Sequence, residues 1–178
     1  GIPRQRRRRD PLPLRPLRIS LVSAVNMKIP SPIAGVAGEY YVAAELSRRG
    51  YIASISLRNT RGVDILATNA DATRSITIQC KTSQVSSKKW ILSDKSEDFV
   101  STNHFYVFIA LGGLLDRPVF HIVPSSDVAS YLRNSHTEWL ERPGRDGRKH
   151  VDNPVRNFSD PDNCYLERWD LLGLNEAA

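Results

Sequence analysis

Three side chains able to handle a metal ion or a proton sit inside two runs otherwise fit for a buried sheet. They are Asp64 in Gly62-Val63-Asp64-Ile65-Leu66, and Gln79 and Lys81 in Ile78-Gln79-Cys80-Lys81. Val63, Ile65, Ile76 and Ile78 are β-branched and apolar, the composition of strands. Alternate side chains on a strand point to opposite faces. Ile76, Ile78 and Cys80 therefore share one face, and Thr77, Gln79 and Lys81 share the other. With the Asp64 strand paired alongside, a carboxylate, an amide oxygen and an ammonium converge. An unpaired buried ion is strongly penalised, so such a set calls for a metal ion, a phosphate or mutual compensation.

The flanking sequence predicts the elements that must position these groups. Ser31-Pro32 reads as a cap with a first-turn proline and Gly50 as a stop, which predicts a helix over 33–49. Val36, Tyr40, Ala43 and Leu46 recur on one face of it, with Glu39 beside that face, and Gly35 and Gly38 point to a close backbone approach. Strands are expected over 51–57, 62–68 and 75–82, with a polar turn between the last two. A short strand at 90–92 and a helical turn at 95–100 follow. A near-continuous apolar run at 104–111 predicts a central buried strand, and 119–123 another. Ser125 or Ser126 is expected to cap a helix over 127–133, with 136–141 extending it. Residues 142–163, rich in Gly, Pro, Asp and Asn, read as a long loop, and 164–174 as a closing amphipathic segment burying Tyr165, Leu166, Trp169 and Leu172.

At 178 residues the chain fits one domain. Its net charge of +6 suggests nucleic acid, but the charge is local. Residues 1–18 carry seven arginines against Asp10, and the remaining 160 residues hold 18 basic and 18 acidic side chains. The body is neutral, so only a local patch can speak for a polyanionic partner. The Arg- and Pro-rich segment 1–26 is expected to be disordered and 27–178 to form the domain, with Met27, the only methionine, as the expected natural start. The alternative is a basic arm gripping phosphates. Two cysteines, Cys80 and Cys164, give no disulfide framework, and a reduced cytoplasmic setting is the default. No apolar run reaches the ~18 residues needed to span a bilayer, so no membrane is expected. The four histidines show no metal-ligand spacing, and there is no Gly-rich phosphate loop, nucleophile elbow or zinc cysteine pair.

The string Gly-Val-Asp-Ile, fourteen residues between Asp64 and Gln79, then Gln-Cys-Lys, resembles the PD-(D/E)XK nuclease superfamily. The glutamine version is most similar to Mrr-type restriction endonucleases; Holliday-junction resolvases, which carry Glu at this place, are more distant. The resemblance covers roughly residues 36–111. It implies an α/β fold with a restriction endonuclease-like αβββαβ core, a central mixed sheet flanked by helices. It also implies a Mg²⁺-dependent nuclease, with Mn²⁺ substituting, acting on DNA, with RNA as the other candidate substrate and a homodimer as the common assembly.

In that family Asp64 would anchor the cation, with the Gln79 side-chain oxygen, the Cys80 backbone carbonyl and Glu39 completing the oxygen donors. Lys81 would orient the attacking water and stabilise charge on the phosphate. Arg58, Arg61, Lys88 and Lys89 are the expected phosphate contacts. Gln79 in place of a carboxylate leaves the site one negative charge poorer, so metal should be held less tightly. Bland readings stand beside these: Glu39 as a solvated helix residue, Asp64 as a turn residue after Gly62, Gln79 and Lys81 on an exposed edge strand. A catalytically inactive module of the same fold, binding nucleic acid or a protein, is the rival function.

Overall fold

The computed structural model describes residues 29–57, 62–84, 88–144 and 147–175. The expected 1–26 segment, Arg58 and Arg61 lie outside the described residues.

Helix α1 (Ser31–Arg48) starts on Pro30 and Pro32 without a side-chain cap. It ends where Gly50 takes φ +85°, with the Gly50 N–H on the Ser47 carbonyl and the Tyr51 N–H on that of Leu46. This is the Schellman closure that a left-handed glycine makes possible, and Tyr51 and Leu46 are both buried beneath it. The buried stripe runs Ala34, Gly38, Val42, Glu45, Leu46. It differs from the expected Val36, Tyr40, Ala43, Leu46 face, and Tyr40 is 65% exposed. The physical reason is that a glycine packs the helix against the sheet, a contact invisible to apolar periodicity. Glu45 is tolerated in that stripe because Arg48, Arg49 and Arg117 surround it and hold its carboxyl below the usual range against the opposing effect of burial.

Five strands form a mixed sheet in the order β1-β2-β3-β5-β6: β1 (Ile52–Ile55), β2 (Ile65–Thr68), β3 (Ser75–Ser83), β5 (His104–Ala110) and β6 (Val119–Pro124). All neighbours run antiparallel except β3 and β5, which are parallel from Thr77 opposite His104 to Ser83 opposite Ala110. A parallel pair needs a crossover rather than a hairpin, and residues 84–103 supply it. Within the crossover lie β4 (Lys89–Ser93) and a single 3-10 turn (Asp94–Glu97), close to the helical turn expected at 95–100. Strand β4 pairs with β7 (Val155–Ser159), a strand inside the stretch expected to be loop. The pairing across some 65 residues buries Trp90, Leu92 and Phe158, and short alternating segments of this kind are fixed by their partner rather than by their own composition.

Helix α2 (Ser125–Glu141) runs without a break to the end of the expected extension and starts two residues earlier than expected, and neither Ser125 nor Ser126 caps it. The hydroxyl of Ser125 donates instead to the Ser101 carbonyl and accepts the Ser101 N–H, tying the helix start to the chain before β5.

The two faces of the sheet are covered unequally. One face packs Ile65, Ala67, Ile76, Ile78, Val107, Ile109 and Ile122 beneath α1 and the closing segment, from which Trp169, Leu172 and Leu174 are buried. Tyr165 and Leu166, also expected inside, are only half-buried. The other face packs Tyr106, Phe108 and Val123 against α2 and the β4–β7 ribbon. That second core includes no side chain from β2 or β3, and Leu66 there is half exposed. Among the described residues that second core stops short of these strands, and Asp64, Gln79 and Lys81 are each half-buried.

Candidate active site

Asp64 immediately precedes β2, where Ile65 faces Ile78 across the antiparallel ladder. The Asp64 N–H nevertheless also reaches the Ile78 carbonyl, at 2.8 Å. The pairing thus slips by one residue, the local arrangement of a bulge, which re-aims a side chain at the end of a ladder. Strand β1 steadies the slip from the other side: the Ser56 N–H donates to the Asp64 carbonyl at 2.8 Å and its hydroxyl to the Val63 carbonyl at 2.6 Å. The Asp64 carboxylate is freed to turn onto β3, where Oδ2 accepts the Cys80 N–H at 2.7 Å. A bond this short to an ionised acceptor is among the stronger kind. Cys80 lies between Gln79 and Lys81 on β3, and those two alternate onto the sheet face opposite to its own.

Glu39 lies on α1, near enough to Cys80 to influence its thiol. Its neighbour Gly38 lies against Thr82 of β3, one residue beyond Lys81. The thiol of Cys80 registers the convergence. Burial first, then the charges of Asp64 and Glu39, push it well above the usual thiol range, while Lys81 pulls the other way. Cys80 packs against the α1-side core, as expected of a small core residue.

The donor types expected for the site are hard: two carboxylates, an amide oxygen and a backbone carbonyl. That chemistry fits Mg²⁺ or Mn²⁺ better than soft metals. Among the described residues no group of three or more His, Cys, Asp or Glu is placed to hold a metal. A site with Gln79 in a carboxylate's position supplies only two acids.

The expected phosphate contacts fare differently. The Lys88 ammonium is committed to Asn163 Oδ1 at 2.7 Å. Lys89 lines a groove of about 630 Å³ with Tyr131, Trp139 and Asn157, on the α2 and β7 side. Of the three tryptophans, Trp90 and Trp169 are core residues. Trp139 is half-buried and stacks at 4.1 Å on His150.

Two buried histidines were not singled out by sequence. His104 faces Thr77, its Nδ1 2.8 Å from the threonine hydroxyl, and burial lowers its pKa to about 4. His121 pairs through Nδ1 with Asp160 at 2.7 Å, and Asp160 also accepts the Cys164 and Tyr165 N–H groups. Three donors overcome the cost of burial and hold the Asp160 carboxyl below its usual range. Nothing in local spacing signals either pair, because each joins segments distant in sequence.

No helix among the described residues is long and apolar enough to cross a membrane. No protein-family model matches the chain, and no curated protein matches it in sequence. Solved structures do match in shape. A bacterial homing endonuclease, I-Ssp6803I, aligns with a TM-score of 0.50 at 11% identity, covering 82% of this chain and 94% of that one. Hjc, a Holliday junction resolvase from the archaeal hyperthermophile Archaeoglobus fulgidus, aligns with a TM-score of 0.46 at 14% identity, covering 80% and 98%. At such identity the first likeness is one of fold. The central five-stranded mixed sheet with its helices is the α/β class that the resemblance implied.

Proposed function

We propose that this protein is a metal-dependent nuclease that hydrolyses phosphodiester bonds, most readily in DNA, with Mg²⁺ as its cation and Mn²⁺ able to replace it. The observation that carries the reading is the Asp64 carboxylate fixed on the amide of Cys80, the residue between Gln79 and Lys81 on β3. The fold shared with a homing endonuclease supports it. A bound divalent cation would neutralise the phosphate and lower the pKa of its water. Asp64 and Glu39 would hold that cation, with the Gln79 oxygen and the Cys80 carbonyl as neutral donors. Lys81, two residues along the same strand face as Gln79, would contact the scissile phosphate and orient the attacking water. The glutamine makes this an Mrr-like variant, in which the two acids carry all of the negative charge offered to the metal.

The test is nicking of supercoiled plasmid, and of a matched RNA, by the purified chain with Mg²⁺, Mn²⁺ or chelator. Asp64→Asn keeps an acceptor for the Cys80 N–H while removing the charge, and Lys81→Ala removes the ammonium. Each should reduce cutting by about 100-fold or more, the scale of losing one electrostatic partner of the transition state, with the fold retained. Cutting that both variants leave intact would place the chemistry elsewhere. Metal-indifferent binding without cutting would identify an inactive module.

A further inference from the structure

Gly38 occupies the point where α1 meets β3. A Cβ built there would lie 2.0 Å from Thr82 Oγ1, 3.2 Å from Thr82 Cβ and 3.3 Å from its Cγ2. No other described helical glycine is so confined: Gly35, one turn earlier, has nothing within 4 Å. The Thr82 hydroxyl is buried and has no hydrogen-bond partner. A buried hydroxyl left unpaired is costly, and here it points at a glycine Cα, where a weak C–H···O contact is the available compensation. The residues on either side of this contact are Glu39 on the helix and Lys81 on the strand.

We infer that Gly38 and Thr82 form the positioning contact that sets how deeply α1 seats on β3, and so holds Glu39 at the metal site beside Asp64. This rests on the nuclease reading and names two residues outside its proposed ligand set. Helix propensity favours alanine over glycine at an interior helical position. Keeping glycine here therefore has to be explained by space, and the space is what Thr82 occupies. With alanine at 38 the helix or the threonine must retreat by more than 1 Å to reach ordinary contact distance. A displacement of about 1 Å is enough to cost roughly 100-fold in a reaction that depends on placed groups.

The experiment compares the full chain, Gly38→Ala, Thr82→Ala and the double variant. It measures Mn²⁺ affinity by electron paramagnetic resonance, plasmid nicking and thermal melting. Gly38→Ala should weaken Mn²⁺ binding by about tenfold or more, as loss of a supporting contact does to a metal site, and should slow nicking by a larger factor. Thr82→Ala added to it removes both Oγ1 and Cγ2 and should restore most of each loss, which a general loss of helix packing would not do. If Gly38→Ala alone does not fold, the double variant decides: recovered fold with recovered Mn²⁺ binding supports the contact, and recovered fold without it overturns the inference. Wild-type cutting matched by Gly38→Ala, with unchanged Mn²⁺ affinity, sinks the inference and leaves the nuclease reading standing. A wild-type chain that neither binds Mn²⁺ nor cuts sinks both.

Discussion

His104 ties acid stability to the strand that carries the candidate site. Its ring is 1% exposed, set edge-on against Phe99 and Tyr106, and bonded at Nδ1 to Thr77. Its Nε2 has no partner. Burial alone lowers its pKa from 6.5 to about 4. Between those two values the unfolded chain binds a proton that the folded chain refuses. The contribution is therefore fully present above pH 6.5, falls as the solution is acidified, and is exhausted near pH 4. At about 1.4 kcal/mol per pKa unit, the loss is about 3 kcal/mol, a large part of the stability of a domain this size. His104→Gln stays neutral throughout and can still bond Thr77, so it isolates the effect. Urea unfolding of both proteins at pH 7 and pH 4 is the assay. The wild type should lose about 3 kcal/mol more than the variant over that interval. Carboxylates held below their usual range, such as Glu45 and Asp160, also lose stability on acidification, but equally in both proteins. Parallel losses would refute the assignment of His104 as a ring buried in its neutral form. Because Thr77 shares the strand face of Gln79, nicking should fail in acid before the variant's does.

Two further outcomes test the site and its frame. Gln79→Glu restores the carboxylate this chain lacks and should tighten Mn²⁺ binding by about tenfold, the effect of a full charge of roughly 1.4 kcal/mol; unchanged affinity by isothermal calorimetry would remove Gln79 from the ligand set. Asp160→Ala strands two backbone N–H groups and the buried His121, and should cost about 3–5 kcal/mol in denaturant unfolding, where a loss under about 1 kcal/mol would show the pair to be peripheral.

Much of this protein was legible in one dimension because the relevant physics is local. Alternation across Ile76 to Lys81 fixes which side chains share a face, and Gly50 after an apolar helix fixes where that helix stops. The residue types Asp, Gln and Lys at their spacing carried the resemblance from which the α/β fold was expected. What needed the tertiary structure were the contacts made between distant segments. The slip at Asp64 that turns its carboxylate onto the Cys80 amide depends on β1 holding one side and β3 the other. Strand β7 exists because β4 offers it a partner and α2 a surface to bury Phe158. The face that α1 buries runs through a glycine, and a glycine carries no hydropathy signal. Short-range periodicity records how a segment prefers to fold, whereas these features are settled by what each segment meets.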